Sequence, residues 1–187
     1  MIVQLSLSPG RRISVNTTIR IGVSACLLGE NVRYDGQPKA CAIVRDVLSL
    51  RAVLVPVCPE TGVGMPVPRE PVDLFGASQS PRMVGVNSGE DWTERVNNWV
   101  AKTISQLTED GLHGFVLKAR SPSCGVGTAE RYLKPGDEPL RSDGLLVLAL
   151  RRQLPELPIV EDEDLVDENT VNAFVARVLA YQQAGSA

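Results

Sequence analysis

The order of apolar segments predicts an α/β fold, a three-layer and mostly parallel sheet with helices on both faces, Rossmann-like in plan. Two observations carry this. Apolar, β-branched runs of strand length at residues 19–25, 53–57 and 114–117 alternate with stripes of helical spacing at 40–50, 91–110 and 143–154. Strand–helix–strand repetition favours parallel pairing through right-handed crossovers. A third observation gives the fold a working edge. Each of the three strands leads into a cysteine, Cys26, Cys58 or Cys124, beside Gly, Pro or Ser. In parallel sheets, ligands collect at the carboxyl ends of the strands. The three cysteines are therefore expected on one rim, although they are far apart in sequence.

The elements follow in order. Ile19 to Ala25 passes from alternating to apolar and suits a first strand. Residues 27–39 hold Gly29, Gly36 and Pro38 around a polar cluster, Asn31 to Asp35, and read as a loop. Ile43, Val44, Val47 and Leu48 form a helical stripe. Val53 to Val57 is the second strand, and Pro59 ends it. Residues 59–71 carry too much Gly and Pro for long regular structure. Arg82 to Val86 suits a short strand. The clearest helix starts at Asp91, with Glu94 in capping-box register. It shows one face of Val96, Trp99, Val100, Ile104 and Leu107, and Gly111 stands as its stop. Gly114 to Leu117 runs towards Cys124. Residues 126–142 read as a polar loop and 143–154 as a helix. Pro158 to Val160 is a strand, 161–164 an acidic turn, and a last helix covers about 167–183.

Bulk properties limit the function. A chain of 187 residues, 43% hydrophobic and 22% charged, supports one domain with a full core. A net charge of −3 gives no electrostatic ground for nucleic-acid binding. No apolar stretch has membrane-spanning length. Residues 1–18 are polar, carry Arg11 and Arg12, and lack the apolar centre of a secretory signal. They read as a loose extension ahead of a single domain at 19–187. Four dispersed cysteines without a C-x-x-C pair make no disulfide framework, so a reducing, cytoplasmic setting is expected. One histidine, His113, excludes sites built on several; it reads as a turn residue.

Three thiolates select zinc, copper(I) or iron–sulfur clusters. Structural zinc commonly takes four ligands in paired short spacings, which this sequence lacks. An iron–sulfur cluster on three thiolates would leave one iron open to a substrate atom. Cys41 lies within a helical stripe, away from any strand end, and reads as packing. Glu60, two residues after Cys58, offers acid–base capacity. Ser121 and Ser123 offer hydroxyls beside Cys124, with turn formation around Pro122 as the alternative role. Lys118 and Arg120 could hold an anion or polarise a carbonyl. Arg33 and Asp35 could pair with each other. Arg69, Glu70 and Asp73 are equally consistent with solvated loop positions. Two other functional classes compete with an enzyme: a cysteine-based sulfur carrier or redox protein, and a non-catalytic cluster-binding or zinc-binding module.

Several stretches together resemble the family once called domain of unknown function 523 (DUF523), the 2-thiouracil desulfurases. They are Val23–Gly29, Val32–Gly36, Val55–Glu60, Pro66–Pro71 and Leu117–Gly125. The likeness runs from about Ile19 to Leu165. It implies a [4Fe–4S] cluster held by Cys26, Cys58 and Cys124. It also implies a C–S bond-cleaving enzyme that converts a thiolated pyrimidine, of the 2-thiouracil to uracil type, with water and without net redox change. A glutamate and a serine act in the family; they map to Glu60 and to Ser121 or Ser123. Arg33, Asp35 and Lys118 are the candidate substrate-binding residues. The final helix resembles the junction to a second domain in longer relatives that act on thiolated transfer RNA. With that domain absent and the charge negative, a free base or nucleoside is the expected substrate.

Overall fold

Alternation builds the first strand. β1 (Arg20–Ser24) sends Ile21 and Val23 to one face, both fully buried, and Gly22 to the other. A Cβ on Gly22 would lie 2.4 Å from the Phe115 ring, so only glycine fits there. The structure, a computed structural model, describes residues 18–185. The extension expected at 1–18 falls outside them, apart from Thr18. β1 sits inside a four-stranded sheet ordered β2-β1-β5-β8, with β2 (Val53–Val57), β5 (Leu112–Leu117) and β8 (Ile159–Glu161). Every pairing in it is parallel. Ser24 lies opposite Val57, and Val23 opposite Val116. The three strands that lead to cysteines therefore end level, on one edge.

This sheet separates two cores. On one face, Ile21, Val23 and Val116 pack with Val171, Phe174 and Val178 of α4 (Glu168–Ala184). On the other, Phe115 and Leu117 meet Val96, Val100 and Ile104 of α2 (Thr93–Glu109) and Leu146 and Leu150 of α3 (Leu145–Gln153). Each such side chain, fully buried, contributes about 1.5–3 kcal/mol. Helices cover both faces, as the alternation of segments predicts.

Four expectations are corrected. The chain builds a second sheet, ordered β4-β3-β6-β7, from β3 (Val72–Phe75), β4 (Arg82–Gly85), β6 (Ala129–Tyr132) and β7 (Leu140–Ser142). Only β3 and β6 pair in parallel; the flanking pairs are antiparallel. The polar loop expected at 126–142 is thus partly strand. In β6, only Ala129 and Arg131 are buried, so backbone pairing rather than an apolar run defines it. The helix expected at 40–50 is two uneven turns, a wide one at Ile43–Val47 and a tight one at Leu48–Leu50. Neither has a side-chain cap, and β-branched Ile43, Val44 and Val47 disfavour a regular helix. The capping box expected at Asp91 and Glu94 does not form either. α2 starts at Thr93, while Asp91 accepts from the Thr93 N–H at 2.9 Å and pairs with Arg82 at 2.7 Å.

A capping box does form on α4, where it was not anticipated. The Asp167 carboxylate accepts from the Thr170 N–H at 2.8 Å, and the Thr170 hydroxyl oxygen accepts from the Asp167 N–H at 3.1 Å. The Thr170 backbone bond holds the Asp167 carboxyl below its ordinary value of 3.8. A carboxyl held low in the folded state stabilises it above the unfolded pKa and stops doing so as pH falls through the folded one. Asp167→Ala is therefore expected to lower the urea midpoint at neutral pH. The wild-type and variant midpoints should converge in acid, which denaturation followed by circular dichroism at several pH values would show.

Candidate active site at the carboxyl edge of the parallel sheet

Three strand ends deliver the thiols by different local devices. Cys26 lies in a tight turn, Ala25–Leu28, directly after β1. Gly29 closes that turn at φ 96°, a left-handed conformation that glycine adopts without a steric penalty. Cys58 is the residue after β2 and the N-cap of α1 (Pro59–Gly62), whose first position is the proline that suits it. Cys124 lies in a turn beyond β5. There the Ser121 hydroxyl oxygen accepts from the N–H groups of Ser123 and Cys124, both at 3.2 Å.

The Cys124 turn is seated on the start of α3. The Leu146 and Leu145 N–H groups donate to the carbonyls of Ser123 and Pro122 at 2.9 and 3.2 Å, and the Gly144 N–H to that of Gly125 at 2.8 Å. Helix-start amides have no intrahelical acceptor, so the turn supplies what α3 lacks. A Cβ on Gly144 would lie 2.5 Å from the Ser123 carbonyl carbon, which keeps the contact backbone to backbone.

Cys26, Cys58 and Cys124 line one cavity of about 520 Å³. Cys26 and Cys124 are buried and Cys58 is partly exposed. Burial, with the neighbouring Cys58, pushes the Cys26 thiol up to about 11, while Lys118 and Arg33 pull the other way. Burial also raises Cys124, against a hydrogen bond from Ser24, and both other cysteines add to the rise. The three sulfurs thus act on one another electrostatically. For Cys26 and Cys124 the thiolate is thereby disfavoured, and a cation among the sulfurs would offset this.

Glu60 is the polar centre of the cavity wall. One carboxylate oxygen accepts from the Ser123 hydroxyl at 2.9 Å, and the other from the Arg69 Nε at 3.0 Å. The same Arg69 donates to the Val32 carbonyl at 2.9 Å and the Pro66 carbonyl at 3.2 Å. Its side chain is 5% exposed and that of Glu60 13%. Arg69 therefore ties the loop after β1, the Pro-rich segment and α1 together through one guanidinium. From the sequence alone, Arg69 is equally consistent with a solvated loop position. The available signal was its place in the Pro66–Pro71 stretch.

The remaining candidates divide. Lys118 lines the cavity, and its Nζ meets both Asp162 oxygens at 2.9 and 3.1 Å. Arg33 lines the cavity and pairs with Asp35 at 2.9 Å. The Arg33 bond draws the half-buried Asp35 carboxyl down to about 2, and Asp35 stands outside the cavity wall. Ser121 is at the wall, whereas Ser123 is 1% exposed and turned to Glu60. Asp73 lines the cavity too, and Glu70 instead holds the Asn87 and Ser88 amides. Ser24 was missed as a site residue; besides Cys124 it serves the Lys118 N–H, which donates to its hydroxyl at 3.0 Å. Cys41 packs against the core that also holds Cys26 and does not line the cavity. His113 accepts the Arg20 N–H at 3.1 Å, within β5 rather than in a turn.

The donor set selects among metals. Among the described residues, no three His, Cys, Asp or Glu side chains are spaced to hold a single metal ion. A cluster differs in kind, because its cysteines bind separate irons and stand farther apart than ligands of one ion. Three soft thiols around a roomy cavity fit that larger body. Among the described residues, no helix is long and apolar enough to cross a membrane.

Comparison with known proteins agrees with this geometry. The family model described as 2-thiouracil desulfurase matches residues 21–162. An uncharacterized protein, YbbK of Bacillus subtilis (strain 168), is 34% identical over 110 residues, which is 56% of this chain and 72% of the relative. A solved structure of a [4Fe-4S]-dependent thiouracil desulfidase, TudS (DUF523Vcz), superposes with a TM-score of 0.65 at 30% identity, over 85% of this chain and 99% of that one.

Proposed function

Because the chain belongs to the 2-thiouracil desulfurase family and is thus a C–S bond-cleaving enzyme, we propose that the cavity between Cys26, Cys58 and Cys124 removes sulfur from a thiolated pyrimidine, as free base or nucleoside. The observation that carries this is the meeting of three thiols with the Glu60–Arg69–Ser123 network at one strand edge. The cofactor named for TudS, a [4Fe–4S] cluster, suits the three thiols as ligands. Bound so, it supplies an iron without a protein ligand, a Lewis acid for the thiocarbonyl sulfur.

The chain's own residues do the rest. Glu60 takes a proton from the water whose oxygen bonds to the ring carbon. Arg69 fixes and charge-balances that carboxylate, and Ser123 fixes its second oxygen. Ser121 already accepts two amides, so its hydroxyl hydrogen is available to the substrate at the cavity wall. Lys118 and Arg33, each paired with an aspartate, still favour negative charge near Cys26 more than Asp162 opposes it, which suits an anionic sulfur leaving group. A C–O bond forms, the C–S bond breaks, and the sulfur departs as hydrosulfide with the proton that Glu60 took; the second water proton leaves the new C–O oxygen for solvent as the carbonyl forms. No electrons are gained or lost, so neither oxidant nor reductant is consumed.

Anaerobic reconstitution with iron and sulfide, then incubation with 2-thiouracil, tests this. The expected result is uracil and sulfide in equal amounts. A fully loaded protein that leaves thiouracil unchanged would overturn the substrate assignment. A colourless protein holding stoichiometric zinc despite ample iron would overturn the cofactor. In the same preparation, Cys41→Ala is expected to retain wild-type iron content, since Cys41 does not line the cavity. Loss of iron in that variant would make Cys41 a fourth ligand.

A further inference from the structure

A buried carboxylate normally pairs with a cation, because an ion stripped of water is otherwise unfavourable. Glu161 at the end of β8 departs from this. It is 6% exposed, and among the described residues no ion pair involves it. One of its oxygens accepts instead from the Val126 N–H at 2.6 Å and from the Thr128 hydroxyl. Both donors lie just past Cys124. The next residue, Asp162, takes the other flank. It accepts from the Ala119 N–H at 2.8 Å and pairs with Lys118. Glu163 pairs with Arg120 at the surface. Three consecutive acidic residues thus grip the segment 118–128 on both sides of Cys124.

The gripped segment needs holding. Arg120 sits at φ 61°, the one non-glycine residue with positive φ among those described. Its N–H donates at 2.8 Å to the Thr128 hydroxyl oxygen, the same hydroxyl that donates to Glu161. Glu161, Thr128 and Arg120 form a chain of bonds that closes the loop on itself. Removing the carboxylate would leave a buried amide and a hydroxyl without acceptors and would free the loop to open locally.

We infer that Glu161, with Asp162 on the opposite flank, is a positioning residue: it touches neither thiol nor cavity and acts by fixing the Cys124 turn where the other two cysteines meet it. This rests on Cys124 being a ligand, so the test carries a readout that does not depend on metal. Per-cysteine alkylation of the full-length, metal-free protein by iodoacetamide, followed by mass spectrometry, reports the turn directly. Cys124 in Glu161→Ala is expected to react about tenfold faster than in wild type, with Cys41 unchanged. Glu161→Gln keeps an acceptor oxygen, so its Cys124 rate should return to within about twofold of wild type. Iron content after reconstitution should fall and recover in the same order. An unchanged Cys124 rate in Glu161→Ala, or equal acceleration at Cys41, would overturn the inference. Should Glu161→Ala fail to fold, Thr128→Val breaks the same chain more gently. A severalfold rise confined to Cys124 would support the inference and no rise would overturn it. A wild-type protein that takes up no iron would instead refute the cofactor reading, leaving the alkylation result to decide on Glu161.

Discussion

Glu60→Gln is expected to lower kcat for thiouracil desulfuration by about 100- to 10,000-fold, the range that a positioned acid–base group contributes. The variant keeps one acceptor oxygen for Arg69, and its amide N–H can donate to the Ser123 hydroxyl oxygen in place of the bond that Glu60 accepts there, so the wall of the cavity keeps its shape. What it loses is the ability to take a proton from water. Iron content and KM should therefore change little, while kcat collapses. Arg69→Ala should act differently. It leaves the carboxylate but removes the bridge between Val32, Pro66 and Glu60, so looser binding and lower stability should accompany the loss of rate. Steady-state kinetics on reconstituted protein separates the two patterns. A Glu60→Gln enzyme with near wild-type kcat would remove Glu60 from the chemistry.

Cys58→Ala should be more drastic, with iron falling to background and activity below detection after reconstitution. Removing a residue behind the ligands typically weakens a metal site by about 10- to 100-fold. If the three cysteines hold the cluster as proposed, removing one thiolate takes away a bond to the cluster itself. Cys58 is also the least buried of the three, so alanine there disturbs packing least and the loss is cleanly chemical. Cys26→Ala and Cys124→Ala should match it in iron content, though both also remove buried sulfur from the packed interior. Metal analysis and the visible absorbance of the reconstituted proteins check this. Full iron in Cys58→Ala would contradict the ligand assignment.

The legible part of this molecule was the part built from apolar runs. Val53–Val57 ending on Cys58, and Ile19–Ala25 ending on Cys26, state a strand and its exit in consecutive residues, although β2 proves to be an edge strand in which only Val57 is buried. Parallel pairing then brings the cysteines to one edge without further information. Of the second sheet only β4 was legible, as the short run at 82–86; β3, β6 and β7 are three or four residues long, and β6 and β7 interleave Glu130, Arg131 and Arg141 with few apolar residues, so no hydrophobic period marks them. The polar side of the site was hidden for another reason. Arg69 finds Val32 37 positions away, Ser123 finds Glu60 63 away, and Val126 finds Glu161 35 away. Such partnerships follow from the fold and leave no local pattern. Asp91 shows the converse: a sound local signal was diverted because Arg82 and the Thr93 amide offered the carboxylate better partners.

The most direct test follows the oxygen. The reconstituted protein is incubated with 2-thiouracil in water labelled with heavy oxygen, and the product is weighed by mass spectrometry while released sulfide is counted. Hydrolytic desulfuration in this cavity is expected to give uracil carrying one heavy oxygen at the carbon that held sulfur, with one sulfide per uracil. Unlabelled uracil, or uracil formed without matching sulfide, would contradict it.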